Sequence, residues 1–462
     1  MKSPLVLSVL TLVCAALTGC NSLGPPYEAP TPAQLPMPAQ WHTSLQQAGA
    51  VRSQAWWEAL ADPILNQLVV KALEQHPTVA AAQASLSLAW AAQGQTLAQG
   101  YPQVNAAQQA QRAKQGQVPV ALASTSLNFA WEVDLFGAVA QAQAGAQARV
   151  EQQQAALADV HMALSAAVVD AYASYRQCLG SVALTQQDLA ARESVSRLTG
   201  LKADAGFVAP YLAARAQATA AEGRSALAEA QAQCQRSRHL LRQLSGLSLD
   251  ELEAVLGAQT DIPRPSQLSV NLPEQVLTSR PDLIKAERAL AAAAADVGLA
   301  QANRYPRLQL NAGLGYQTSS AGTGTLSLGL WSIGPSLSLP LWDGGSRRAQ
   351  AEQAQARYEL ALAQYRQAVA VAMQEVDDTL SRYAAAVERL EHARQAEALH
   401  VQSFQAMDAR YREGVASLLE LEDARRSLLA AQQSYRHLRL EQLKAWTAMH
   451  RATGGGFLNS AS

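Results

Sequence analysis

From Ser346 to Glu413 the sequence contains neither glycine nor proline. Those residues end helices, so a run of roughly 68 positions without them predicts one continuous helix of about 100 Å, at 1.5 Å per residue. A single globular domain has no room for such an element. Its apolar residues Tyr358, Leu362, Tyr365, Val369, Met373, Val376, Leu380, Tyr383, Val387 and Leu390 follow one another by threes and fours. That is the seam of a coiled coil, with one extra step of four near Val369. The helix needs partner helices along its length.

The chain carries this unit twice. A shift of about 204 positions brings Pro77 onto Pro281, Gly94 onto Gly298 and Tyr101-Pro102 onto Tyr305-Pro306, the signature of an internal repeat. After the strands that follow, the shift becomes about 208, bringing Gly137 onto Gly345, Ala146 to Arg149 onto the identical Ala354 to Arg357, Gly206 onto Gly414 and Gly246 onto Gly454. A length of 462 residues would otherwise suggest several unlike domains. The duplication overrides that prior.

Composition narrows the function. Charged residues make up 16% and aromatics 5%, and the net charge is −1, which suits close helix packing and gives no basic surface for nucleic acid. Beyond the N-terminus no apolar run of eighteen or more residues occurs, so no transmembrane helix is expected. The N-terminus reads as a secretory signal peptide over 1–19, with Lys2, an apolar stretch from Leu5 to Leu17, and Leu17-Thr18-Gly19 before Cys20. That sequence resembles the bacterial lipobox, which implies cleavage before Cys20 and lipid on that residue. Asn21 is not the aspartate that retains lipoproteins in the inner membrane, so the resemblance favours the outer one. Residues 20–55, proline-rich from Gly24 to Pro38, read as a lipidated tether.

The first repeat is placed at 56–246: a helix, a β-hairpin at 103–136, a long helix at 138–205 and a return helix at 209–245. An inter-repeat segment fills 247–272. The second repeat, 273–457, has a helix, a hairpin at 307–342, a long helix at 346–413 and a return helix at 416–452, leaving 458–462 as a tail. In the hairpins the apolar period drops to two. Leu127, Phe129, Trp131 and Val133 alternate with polar or small residues, as do Leu308, Leu310 and Leu314. Along 325–341 the apolar phase changes, from Leu326, Leu328 and Leu330 to Trp331, Ile333, Leu337 and Leu339, which suggests a bulge near Gly329 to Trp331. Four strands are too few to close a barrel, and an open sheet leaves unpaired edges in lipid. Either the chain oligomerises or its hairpins lie outside the membrane.

Several stretches together resemble the TolC-like outer membrane factor family, in its lipidated NodT-type multidrug-efflux branch. They are Trp56-Trp57 with Asp62-Pro63, Trp131 to Gly137, Arg280-Pro281-Asp282-Leu283, Tyr305-Pro306, Gly334-Pro335 through Leu341-Trp342-Asp343-Gly344-Gly345, and the glycines 454–456. Trp342 stands where the family commonly has Phe, and Phe457 where it commonly has Trp. The resemblance implies an α+β membrane protein with a tandem internal repeat: a homotrimeric, 12-stranded transmembrane β-barrel continuous with a long periplasmic α-helical barrel. Such a trimer removes the open edges, with Leu127, Phe129, Trp131, Val133, Leu308, Leu310 and Leu314 facing outer membrane lipid. It also implies a passive duct docked on a periplasmic adaptor (membrane fusion) protein and an inner membrane pump driven by protons, without cofactors.

By similarity to the family's inner helix tip, Leu419, Glu420 and Asp423 take positions that constrict the pore, with Arg426 nearby and Arg215 on the first repeat able to offset their charge. The plainer reading is an acidic, solvated helix start. Leu212 and Arg215 occupy the first-repeat positions of Glu420 and Asp423, an asymmetry which suggests that the second tip moves and the first is static. Cys178 and Cys234 are equidistant from Gly206, so a helical hairpin turning there brings them level. In an oxidising periplasm that predicts a disulfide, against the alternative of two separate buried thiols if the side chains point apart.

No enzyme is indicated. The eight histidines show no paired metal spacing, and no Gly-x-Ser-x-Gly elbow occurs. Two alternatives to a multidrug duct stay open: a duct for secreted protein or metal ions, and a lipid-anchored coiled-coil scaffold without a pore.

Overall fold

The computed structural model describes residues 27–38, 40–41, 55–115, 118–257, 259–265, 273–321 and 324–455. The signal peptide, Cys20, much of the tether and the 458–462 tail lie outside the described residues. In chain order the elements are α1 (Pro63–Gln75), α2 (Pro77–Ala98), β1 (Gln103–Gln115), β2 (Val118–Val133), α3 (Ala138–Asp204), α4 (Pro210–Ser245), α5 (Leu249–Leu256), α6 (Pro273–Ser279), α7 (Pro281–Ala302), β3 (Arg307–Ala321), β4 (Gly324–Ser338), α8 (Ser346–Arg412) and α9 (Leu418–Ala452). Helices α3 and α8 each have 67 residues, and α2 and α7 each have 22. The segment between the repeats contains a helix of its own, α5, opened by a capping box in which Ser248 and Glu251 hold each other's backbone N–H.

The chain divides into two compact units. The first, made of residues up to Leu35, Gln83–Ala156 and Asp282–Ala368, holds one antiparallel sheet in the order β1-β2-β3-β4. Both hairpins stop short of the expected 136 and 342, β2 directly before Asp134 and β4 two residues before Pro340, which has no N–H to give a ladder, and an aspartate then opens each long helix. Asp134 accepts the Ala140 N–H (2.8 Å) at the start of α3, and Asp343 accepts those of Gly345 (3.0 Å) and Arg347 (3.2 Å) at the start of α8. Carboxylates at helix N-termini satisfy donors that have no partner within the helix. In the same unit Arg149 pairs with Asp296 (2.6 Å) and Arg288 with Glu151 (2.8 Å), joining the first residues of α3 to α7. Tyr27 donates to Glu287 (2.7 Å), and burial raises its pKa.

The expected bulge near Gly329 to Trp331 is absent. Strand β4 pairs with β3 in one unbroken register from Arg307↔Ser338 to Ala321↔Gly324, with Tyr316↔Gly329 and Leu314↔Trp331 as consecutive same-face pairs. The phase change in the sequence is therefore a true change of face: Leu330 and Trp331 point to opposite sides of the sheet.

The second unit comprises Pro36–Ala82, Leu157–Pro281 and Val369 onward. Its core gathers Trp56, Leu65, Leu68, Val168, Val169, Tyr172, Leu241, Leu252, Val376, Leu380 and Trp446. One 18-residue window of α3 reaches a mean hydropathy of 1.2, enough by composition to cross a bilayer, and 44% of that window is buried within the chain. A polar chain fastens α1 to α3. Asp62 accepts the N–H groups of Ile64 (2.9 Å) and Leu65 (3.1 Å) and the Tyr172 hydroxyl (2.8 Å), and the fully buried Arg176 donates to that hydroxyl and to the Gln259 carbonyl. At the far end of α9, Gly454 adopts φ +84°, and a Cβ there would lie 2.2 Å from the Ser279 carbonyl oxygen. The first glycine of the terminal triplet is thus a helix stop packed on α6.

Candidate functional site

Two helical hairpins of the second unit end in tips of the same design. Gly206 (φ +76°) and Gly414 (φ +78°) follow α3 and α8. Beyond them the Phe207 N–H bonds the Lys202 carbonyl (2.8 Å) and the Val415 N–H bonds that of Arg410 (2.9 Å). Both are left-handed glycine caps that satisfy the last carbonyls of a helix. At the first tip, Phe207 and Tyr211 are exposed.

The tips differ where the return helix starts. On the first hairpin Ala209 offers no side-chain cap and Pro210 opens α4. On the second, Ser417 caps α9, its Oγ accepting the Glu420 N–H (3.3 Å), while Glu420 accepts both the Ser417 N–H and hydroxyl at 2.7 Å. Those bonds hold the Glu420 carboxyl below its usual pKa. Glu420 is therefore half of a capping box, a role legible in Ser417-Leu418-Leu419-Glu420.

The remaining gate candidates are exposed. Leu419 is 46% exposed, and Asp423 lies 3.6 Å from Arg426, one turn along α9. Arg215 is exposed on α4, and among the described residues no ion pair joins it to Glu420 or Asp423. Sequence reasoning missed a buried pair just beyond the tip: Arg425, 9% exposed, binds Glu422 at 2.8 Å and sits 5.8 Å from the centre of the Phe404 ring. The spacing of three between Glu422 and Arg425 was available as a signal. Their burial, and the stacking on α8, came only from the packing.

The first hairpin is tied differently. Cys178 on α3 and Cys234 on α4 form a disulfide, with Cα atoms 5.4 Å apart. Closer to the tip, the half-buried Arg192 pairs with Asp188 (2.6 Å) and Arg224 with Glu193 (2.9 Å).

The seven residues expected to face lipid share one side of the sheet. Leu127 opposes Leu314, Trp131 opposes Leu310 and Val133 opposes Leu308, with Phe129 in the row between, opposite Ala312. Leu127 and Leu314 are exposed, and the Trp131 indole donates to the Gly100 carbonyl (3.0 Å). Strands β1 and β4 stand at the sheet edges. Among the described residues no group of three or more His, Cys, Asp or Glu is arranged to hold a metal ion.

Solved structures with this arrangement are outer membrane channels. The outer-membrane channel OprN is 30% identical, covering 94% of this chain and 99% of that one, with a TM-score of 0.83. The Neisseria gonorrhoeae MtrE outer membrane channel in its open state is 22% identical, covers 96% of this chain and 100% of that one, and matches the fold with a TM-score of 0.80. The fold and its paired tips thus define the class, an outer membrane channel with long helical hairpins. The chain belongs to the outer membrane efflux protein family, whose model matches residues 68–247 and 272–455. Similar curated proteins include nodulation protein T of Rhizobium leguminosarum bv. viciae, 29% identical over 96% of this chain and 92% of that protein. The antibiotic efflux pump outer membrane protein ArpC of Pseudomonas putida is 28% identical over 99% and 96%. Efflux across the outer membrane is accordingly the activity of this chain.

Proposed function

We propose that three copies of this chain form one passive duct, with β4 of each copy pairing with β1 of the next to close a twelve-stranded barrel in the outer membrane. The observation that carries this reading is a sheet with two unpaired edges and one face bearing Leu127, Leu314, Trp331, Ile333 and Leu337, all exposed. Such a sheet is stable in lipid only if its edges meet other strands. Cys20 carries the lipid anchor, and the hairpins α3-α4 and α8-α9 extend into the periplasm toward an adaptor and a proton-driven inner membrane pump. The cargo is small toxic compounds delivered by that pump.

The second tip is the moving gate. Three copies of Leu419 and of the Asp423–Arg426 pair ring the passage and narrow it. The first tip is the fixed one, because Cys178–Cys234 ties its two arms. Reconstitution of the purified protein in a planar bilayer tests the duct directly: discrete unitary currents support it, and a lipid-anchored scaffold gives none.

A further inference from the structure

The unbroken ladder assigns every strand residue to a face, since directly opposed residues in antiparallel strands lie on the same side. One row runs Ala106, Leu127, Leu314, Trp331, and the next Val104, Phe129, Ala312, Ile333. On the other face the matching rows are Asn105, Asn128, Gly313, Ser332 and Gln103, Ala130, Asn311, Gly334. In the half of the sheet that adjoins the helices, one face is apolar and the other polar.

Toward the hairpin turns the outward face loses its apolar character, and β4 alone turns apolar on the other side. The formerly apolar face continues as Gln108, Thr125, Tyr316, Gly329, then Ala110, Ala123, Thr318, Ser327, then Arg112, Ala121, Ser320, Thr325. The formerly polar face stays largely polar on β1 to β3, with Ser126 and Gly315, then Ser124 and Gln317, then Leu122 and Ser319, and gains Leu330, Leu328 and Leu326 on β4 in those same rows. All three leucines are exposed within the chain.

A barrel's lipid face is an apolar band about 25 Å tall with aromatic residues at its borders. The rows from Val133 and Leu308 to Leu127 and Leu314 form the apolar part of that band, with Trp131 near one end and Trp331 and Tyr316 at the other. The three leucines lie on the face opposite that band and so touch no lipid. Resting on the trimeric duct proposed above, we infer that Leu326, Leu328 and Leu330 of each subunit line the outer mouth of the lumen as an apolar ladder. The ladder offers uncharged or weakly polar solutes a surface they wet readily. The outer mouth therefore contributes to selection, in favour of apolar cargo.

Thiol scanning in planar bilayers tests this without removing the ladder. With Cys20 lipidated and Cys178 bonded to Cys234, a cysteine placed by Leu328→Cys is the reactive thiol. A charged, water-soluble thiosulfonate added to the side of the hairpin turns is expected to change the unitary current in up to three steps, one per subunit. The same reagent on Ile333→Cys is expected to leave the current unchanged. In a companion variant, Leu326→Ser, Leu328→Ser and Leu330→Ser together weaken block by tetraphenylphosphonium at least tenfold. An unaltered current in modified Leu328→Cys, or unchanged block in the serine variant, overturns the ladder and leaves the duct standing. Absence of any unitary current from the unsubstituted protein overturns the duct and the ladder with it.

Discussion

Cys178 and Cys234 are bonded across the first hairpin at a sequence separation of 56, centred on Gly206, while the corresponding positions of the second hairpin are Ala386 and Gln442. One hairpin is therefore cross-linked and its repeat is not. A bridge over a loop of this size stabilises by about 2–4 kcal/mol. Replacing both cysteines by serine is expected to lower the apparent Tm by several degrees and to speed amide exchange between 178 and 234. Exchange between 386 and 442 should stay as it was, and a uniform change over both hairpins would show that the bridge does not act locally.

Glu420 separates a structural role from an electrostatic one. Its carboxylate accepts from Ser417 twice, and glutamine can serve at the same position of a capping box. Glu420→Ala is expected to loosen the start of α9, read as faster exchange of the 417–421 amides, and Glu420→Gln is expected to leave it intact. If the charge also closes the passage, both variants raise unitary conductance. If only Glu420→Ala does, the residue acts through the cap.

Asp423 and Arg426 are a solvent-exposed pair at 3.6 Å, a kind of contact that contributes little to stability. Asp423→Ala should consequently leave the Tm within a degree or so while raising conductance severalfold, as a ring of paired charges at the narrow tip is broken. Unchanged current would remove Asp423 from the gate.

Two buried groups give the second unit opposing responses to pH. Burial raises the Asp170 pKa to about 6 and lowers that of His450 to about 4; the His450 ring packs against Trp56 and Trp446. A raised carboxyl pKa contributes stability that is full at low pH and is lost as pH rises through about 6. A depressed histidine pKa contributes stability present above about 6.5 and lost as pH falls through about 4. In Asp170→Asn only the second slope remains, so its Tm should fall more steeply than the unsubstituted protein's between pH 6.5 and 4, while being higher at pH 7. A parallel pair of Tm curves would contradict this assignment.

Much of the architecture was legible because α8 announces itself by lacking what ends helices, with none in 346–412 and Gly414 stopping the run, while α3, which holds Gly145, Gly180 and Gly200, was legible through the repeat. Strand identity was legible from period two. Face assignment was not, since an apolar phase change reads equally as a bulge or as two opposite faces, and only the pairing of Leu314 with Trp331 and of Gly315 with Leu330 decides. At the tip, the acids could be seen but their partners could not. Glu420 bonds its own N-cap, and Arg425 is buried on Phe404 of another helix, a contact that depends on how α8 and α9 are rotated. The level placement of Cys178 and Cys234 followed from equal arms about Gly206; their facing one another depended on the same rotation, which periodicity alone leaves free.

The claim beneath all of these is that the exposed edges β1 and β4 find their partners in other copies of the chain. Native mass spectrometry of the detergent-solubilised lipoprotein measures that directly. A single species of three chains, dispersing to one only when the barrel is unfolded, is the result this structure predicts. A folded single chain that stays monomeric in detergent would leave the sheet edges unpaired and contradict it.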